Sequence, residues 1–136
     1  MKEITVSATL ENLAPVQAFV EGELENCGCP MRDIMQISVA VEEIYVNIAR
    51  YAYHPAVGEA TVRCAVDGGP LRVTIQFLDS GRPFDPLARP ETDVSLSAEE
   101  REIGGLGILM VKKSMDDVQY QYKDGCNILT LKKHLP

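Results

Sequence analysis

The stretch MRDIMQISVAVEEIYVNIARYAY, residues 31–53, decides the fold of this chain. After Pro30 it contains neither proline nor glycine, and it is long enough for about five to six turns of α-helix. Apolar residues recur along it at helical spacing, and they are Ile34, Ile37, Val41, Ile44 and Ile48. This pattern predicts one long helix with a single apolar face, for which the rest of the chain must supply a core.

Two polar residues lie at the edge of that apolar face. Glu43 and Asn47 are four residues apart, so their side chains stack on one side of the helix, one turn from each other. Glu42 points away from the apolar face and is expected to be solvated. Asparagine is a poor residue for a helix interior. The pair is therefore either an exposed polar edge or the place where the helix borders a cleft.

The composition indicates an ordinary globular domain. The chain has 136 residues, 46% of them hydrophobic, which suffices for a single domain (residues 1–136) with a core and no covalent staples. Its net charge of -7 disfavours nucleic acid and anionic membrane surfaces as partners. No apolar run approaches the length of a membrane span, and the N-terminus lacks the apolar core of a signal peptide. We therefore expect a cytoplasmic protein.

The four cysteines favour ordinary thiols. Cys27 and Cys29 form a C-x-C pair, while Cys64 and Cys126 lie in strand-like runs far away. Zinc sites usually show C-x2-C pairs or histidines in register, and this spacing matches neither. A metal site or a disulfide is the less favoured alternative to buried or half-buried thiols.

The order of the remaining elements predicts the fold class. We expect a strand at 4–10, a helix at 15–26 with Asn12 as its cap, a hairpin of strands 59–66 and 71–78, a helix from 104 to about 117, and a hairpin of strands 118–122 and 127–132. The order β-α-α-β-β-loop-α-β-β points to an α+β two-layer sandwich, with helices on one face of a mostly antiparallel or mixed sheet.

The periodicity is lost between residues 82 and 103, where prolines and charged residues dominate. A loop of this length inside a small domain is usually functional or disordered. We interpret residues 86–103 as a lid over a ligand.

Two glycine-containing segments flank this loop. Gly104, Gly105 and Gly107 open a predicted helix, where backbone N–H groups at the positive end of the helix dipole suit a phosphate. The alternative is that they only allow a tight turn, and they match neither the P-loop nor the Rossmann pattern. Asp79 ends a predicted strand with Gly81 two residues on, which indicates either a simple turn or a carboxylate that binds a ligand amino group such as that of adenine.

Three runs occur in a fixed order with the lid between the last two: VEEIYVNIARYAY, FLDSGRPFDP and GGLGILMVKKSMDDV. They closely resemble the N, G1 and G2 boxes of the Bergerat-type ATP-binding fold that gyrase, histidine kinases and related ATPases share. Within that superfamily the chain resembles the anti-sigma factor serine/threonine-protein kinase family over essentially its whole length.

The resemblance implies ATP and Mg²⁺ as cofactors and assigns a role to each motif. Asn47 would coordinate the Mg²⁺ that bridges the phosphates, and Glu43 would be the general base that activates a serine hydroxyl. Asp79 would bind the adenine amino group, with Gly81 on the same wall. The phosphate end of the cofactor site would comprise Gly104, Gly105, Leu106 and Gly107, with the backbone N–H groups of Gly105 and Gly107 against the phosphates.

One position departs from the family pattern. Kinases of this family tend to carry an arginine in the lid, close before the glycines, that reaches the γ-phosphate. Here Ile103 directly precedes Gly104, and Arg101 is the nearest arginine. We expect Arg101 to take that catalytic role. Lys112 and Lys113 lie within the helix and are expected to be solvated.

The resemblance also implies partners. The chain would phosphorylate a serine on an anti-anti-sigma protein of the STAS type, would bind a sigma factor, and would form a homodimer. A non-catalytic module that uses nucleotide only to order its lid and hold a partner is the alternative. A fragment of a sensor histidine kinase is disfavoured, because no phosphoacceptor-histidine helix precedes the domain and His54 lies at a helix end before a proline.

Overall fold

The computed structural model of the chain describes residues 1–88 and 106–135. Its regular elements are β1 (Lys2–Ser7), a 3-10 turn (Leu10–Asn12), α1 (Leu13–Asn26), α2 (Met31–Asn47), a π-helical segment (Ile48–Ala52), β2 (Glu59–Asp67), β3 (Arg72–Asp79), a second 3-10 turn (Pro86–Ala88), α3 (Leu106–Ser114), β4 (Asp117–Lys123) and β5 (Cys126–His134).

The five strands form one sheet in the order β1-β2-β3-β5-β4. All four pairings are antiparallel, so the sheet is purely antiparallel rather than mixed. Asp79, the last residue of the central strand β3, pairs with Ala60 on one side and with Asn127 on the other. The predicted α+β fold class is confirmed, and the two hairpins lie where the turn residues predicted them.

One face of the sheet packs against the helices. Alternate strand residues such as Val62, Ile75 and Leu131 are fully buried, and their neighbours along each strand are only half-buried. The apolar face of α2 is buried against them as predicted, with Ile48 half-buried at its end. Tyr45 is 0% exposed, and its hydroxyl lies 2.7 Å from the carbonyl oxygen of Thr9, which fixes α2 to the segment after β1.

Several element ends differ from the prediction. The α-helical part of α2 ends at Asn47, and the chain continues as a π-helix to Ala52. Asn12 precedes α1 but makes no capping bond, because its amide donates to the carbonyl oxygen of Ser7 at 2.8 Å. Helix α3 ends at Ser114, since the backbone N–H of Asp116 already joins the sheet by bonding to Lys132 at 2.9 Å.

The thiols are buried or half-buried, as predicted. Cys29 and Cys64 lie in the core, and burial raises the pKa of Cys64 to about 12. Cys27 and Cys126 are half-buried. Across the part of the chain that the structure describes, no helix is long and apolar enough to cross a bilayer.

The predicted lid falls mostly outside the described residues. Its first three residues, Pro86–Ala88, form the second 3-10 turn. Arg101, Gly104 and Gly105 lie outside the described residues, so their predicted roles stay predictions.

Candidate functional site

The end of α2 is joined to the loop that follows β3. The carbonyl oxygen of Ala52 accepts a hydrogen bond from the backbone N–H of Arg82 at 3.1 Å, and the Arg82 guanidinium donates to the carbonyl oxygen of His54 at 2.7 Å. The hydroxyl of Tyr53 accepts from the backbone N–H of Ser80 at 2.7 Å and donates to the carbonyl oxygen of Glu59 at 2.6 Å. These bonds hold residues 80–82 against the segment that directly follows Asn47.

Gly81 is required by the close approach of these two segments. A Cβ atom at this position would lie 2.3 Å from the carbonyl oxygen of Ala52, a distance that no side chain tolerates without backbone movement. The glycine therefore serves the chain's own packing. Its predicted place on a ligand wall stays a prediction, which this packing role does not contradict.

The Asp79 carboxylate is buried and oriented by two hydrogen bonds. The residue is only 7% exposed. Its Oδ1 accepts from the backbone N–H of Gly81 and from the side-chain amide of Asn127, both at 2.9 Å. Within residues 1–88 and 106–135, Oδ2 takes part in no hydrogen bond. One oxygen is thus fixed by the protein, and the other is left for a donor such as an amino group.

Asn127 is a central residue of this network that the sequence reasoning missed. Its amide also donates to the carbonyl oxygen of Arg82 at 2.9 Å. Its Oδ1 accepts from the backbone N–H of Phe84 at 3.1 Å and from the hydroxyl of Tyr120. A signal for it existed, because strand alternation puts residue 127 on the same inward face as residues 129 and 131, where an amide needs partners.

Glu43 lies at the other side of the site. Its carboxyl group is half-buried, and its pKa is raised above the ordinary value by burial first and by the neighbouring Glu42 carboxylate second, with Arg50 opposing them. Glu42 is exposed, as predicted. Among the residues with described positions, none forms a hydrogen bond or an ion pair with the Glu43 carboxylate. A carboxylate in this state is a stronger base than an ordinary surface glutamate.

A groove between α2 and α3 ends at Glu43. It encloses about 340 Å³, and Glu43 shares its lining with Val39 and Ala40 of α2 and with Met110 and Val111 of α3. Leu106 is the first residue of α3 and Gly107 follows in its first turn, so these two predicted phosphate-binding positions lie at a helix N-terminus. Asn47 is half-buried and is the last residue of α2, one turn beyond Glu43.

The structure has one antiparallel sheet covered by helices on one face, and the candidate residues lie on α2, at the end of β3 and at the start of α3. The sequence model of the histidine kinase-like ATPase domain family matches residues 6–133. The chain belongs to that family, which confirms the predicted Bergerat-type fold.

Individual proteins of known class are similar to this chain in sequence or in structure. It is 28% identical over 134 residues to the serine-protein kinase RsbW of Bacillus cereus and to that of Bacillus thuringiensis, covering 96% of this chain and 82% of each relative. The structure of the RsbU and RsbW domains of Rv1364c from Mycobacterium tuberculosis superposes with a TM-score of 0.64 at 18% identity, over 99% of this chain and 33% of that one.

A second solved structure is similar in fold. It is that of the SiaB-SiaC complex from Pseudomonas aeruginosa, with a TM-score of 0.56 and 16% identity over 98% of this chain and 89% of that one. The resemblance to anti-sigma factor kinases that the three motifs predicted is confirmed by the curated relatives.

Proposed function

We propose that the protein is an ATP-binding regulator of the anti-sigma type that transfers the γ-phosphoryl group of ATP to a serine of a STAS-type antagonist protein. In this proposal the protein also binds a sigma factor and thereby regulates transcription. It acts in the cytoplasm and forms a homodimer. Its main support is Glu43, which lies one helical turn before Asn47. None of the described residues forms a hydrogen bond or an ion pair with its carboxylate, and its pKa is raised. The names of the curated relatives support the reaction class.

The candidate residues on α2, β3 and α3 fit a magnesium nucleotide. Asn47 offers a side-chain carbonyl oxygen, a ligand type that Mg²⁺ accepts, at the half-buried end of α2. Asp79 has one carboxylate oxygen available for the adenine amino group. The N-terminus of α3, with Leu106 and Gly107, suits phosphate oxygens. Gly104, Gly105 and Arg101 would complete the phosphate end.

The chemistry then assigns one step to the protein's own residues. Phosphoryl transfer depends mainly on positioning and charge neutralisation, and a Mg²⁺ ion held by Asn47 would supply positive charge for the second of these. Glu43 takes the proton of the serine hydroxyl while the serine oxygen bonds to the γ-phosphorus. The bond from that phosphorus to the bridging oxygen breaks, and ADP leaves with the electron pair. Arg101 would stabilise the charge on the transferred group.

A non-catalytic module that holds a partner in the nucleotide-bound state is the second candidate. The observation that favours it is Ile103 directly before the glycines, where kinases of the family tend to carry an arginine. Such a module needs Asn47 and Asp79 but has no use for a base at Glu43.

The experiment is phosphoryl transfer from γ-labelled ATP. The purified protein is incubated with Mg²⁺ and, one at a time, with every STAS-domain protein encoded by the same genome, and the labelled residue is located by mass spectrometry. We expect label on a serine of at least one of these proteins. Asn47→Ala should abolish transfer and weaken Mg-ATP binding measured by calorimetry.

Asn26→Ala is the matched control, because Asn26 is likewise the last residue of an α-helix but is exposed on α1. It should leave both quantities unchanged. A protein that binds Mg-ATP and labels none of the candidates is a non-catalytic module, and one that binds no nucleotide contradicts both candidates.

A further inference from the structure

The groove between α2 and α3 has a defined direction relative to the proposed chemistry. Along α2 it extends from Glu43 back to Gln36, a distance of about 10 Å at 1.5 Å per residue. Asn47 lies one turn beyond Glu43 on the opposite side. Going back along α2, one therefore meets first the Asn47 amide that is proposed to bind the metal, then the proposed base Glu43, and then the groove.

This order constrains where an acceptor must come from. In phosphoryl transfer the attacking and leaving oxygens are roughly in line with the phosphorus, so the acceptor approaches from the side away from the nucleotide. A base that touches the acceptor hydroxyl lies on that side too. A polypeptide whose serine reaches Glu43 must continue away from Asn47, which leads it along the groove.

The chemistry of the groove fits an apolar guest. Val39 of α2 is 48% exposed and Met110 of α3 is 58% exposed, and both line the groove. The exposed apolar surface continues along α2 to Met35, one turn before Val39. Lys113 also lines the groove. Large apolar side chains exposed together next to a cleft are typical of a binding surface rather than of an ordinary solvated helix face.

We propose that this groove docks the phosphoacceptor segment of the substrate protein, with an apolar side chain next to the acceptor serine inserted between Val39 and Met110. The inference rests on the proposed kinase function and adds the surface and the specificity. At about 3.3 Å per residue, the groove spans about three residues of extended chain. The acceptor serine should therefore have an apolar residue within about three positions.

The test uses two substitutions that are polar but uncharged, so that the charge around Glu43 stays the same. Val39→Asn replaces one residue of low helix propensity by another, and Met110→Gln keeps the length of the side chain. Each variant is titrated calorimetrically with the STAS-domain proteins of the same genome in the presence of Mg-ADP, and the KM and kcat of phosphoryl transfer are measured.

We expect each substitution to weaken binding of the STAS-domain protein about tenfold and to raise the KM for it by the same factor, because the apolar contact is lost. The kcat and the affinity for Mg-ATP should not change. Val57→Asn is the matched control, since Val57 is 65% exposed in the loop before β2 and lies outside the groove. This variant should behave as the wild type.

The other results separate the rival occupants. Unchanged binding in both groove variants, or no STAS-domain protein bound by the wild type, overturns the proposal. A weaker affinity for Mg-ATP means that the groove holds a segment of this chain, and a changed sedimentation coefficient of the free protein means that it holds a second copy; both overturn it. Groove-dependent binding without any transfer supports the docking site and contradicts only the kinase function.

Discussion

The two sides of the candidate site are built in opposite ways. Around Asp79 almost every polar group has a partner within the protein, through Asn127, Tyr120 and the backbone of residues 81–84. Around Glu43 the carboxylate has no partner among the described residues, and the neighbouring surface is apolar and open. The first side is held in place by the protein's own hydrogen bonds, which suits the proposed role of orienting a small ligand. The second side suits the proposed role of receiving the acceptor serine of another protein.

The largest expected effect comes from the open side. Glu43→Gln keeps the shape of the side chain and removes its basicity, so kcat for transfer to the STAS-domain protein should fall by a factor of about 10² to 10⁴. The affinity for Mg-ATP should stay near that of the wild type, since a base contributes little to nucleotide binding. Quench-flow transfer assays together with calorimetry measure both quantities.

Glu42→Gln is the control for that comparison. Its side chain is exposed on the same helix, one residue away, and it should retain transfer near neutral pH. An equal fall of kcat in the two variants would show that the loss of a negative charge on α2 causes the effect and that Glu43 is not the base.

The second largest effect is expected on the side around Asp79, where the polar groups are paired within the protein. Asn127→Ala removes the amide that joins Asp79, Arg82, Phe84 and Tyr120, and it leaves buried donors and acceptors unpaired. We expect the free energy of unfolding to fall by about 2 to 4 kcal/mol, measured by urea denaturation. Mg-ATP binding should weaken as well, because Asp79 loses a fixed orientation.

Gln76→Ala is the matched control for Asn127. Gln76 lies on the neighbouring strand β3 with its amide on the half-exposed face, where it makes one long bond of 3.4 Å to Thr130. Its removal should change the free energy of unfolding by no more than about 0.5 kcal/mol. If the free energy of unfolding falls equally in the two variants, the hydrogen-bond network around Asp79 does not contribute more to stability than one exposed side-chain bond.

The difference between the two sides also explains what the sequence could predict. The apolar repeats and turn residues predicted the sheet, the hairpins and α2, because they depend on local periodicity. Glu43 and Asn47 could be found for the same reason, since four residues is a helical turn. Asn127 and Tyr53 could not be assigned roles, because their partners lie 48 and 27 residues away and only the folded register brings them together.

Gly81 shows the same limit in another form. Its pairing with Asp79 suggested a ligand wall, and nothing local revealed that the π-helical segment after α2 passes within contact of it. A helix that widens to π geometry after Asn47 is a tertiary feature, and the sequence alone predicted only that the helix continued to residue 53.

A third and smaller effect follows from that contact. Gly81→Ala forces the loop away from the carbonyl oxygen of Ala52, and we expect it to lower the free energy of unfolding by about 1 to 3 kcal/mol. Gly22→Ala is the control, because a Cβ there meets nothing within 4 Å and lies in the middle of α1. That variant should gain about 0.5 to 1 kcal/mol. A Gly81→Ala protein as stable as the wild type would mean that the loop is not held in place by α2.

The smallest effect concerns the pH at which the open side works. Transfer requires the deprotonated form of Glu43, so the rate should fall as the pH falls through its pKa, which burial and the Glu42 charge place above the ordinary value of 4.5. Glu42→Gln removes the second of these causes and lowers the pKa, so the acidic limb of kcat should move to lower pH. The shift should be modest, because burial is the larger cause and is unchanged. Arg50→Gln removes the opposing charge and should move the limb to higher pH. Opposite shifts in these two variants identify Glu43 as the titrating group, whereas a limb that neither variant moves belongs to another residue.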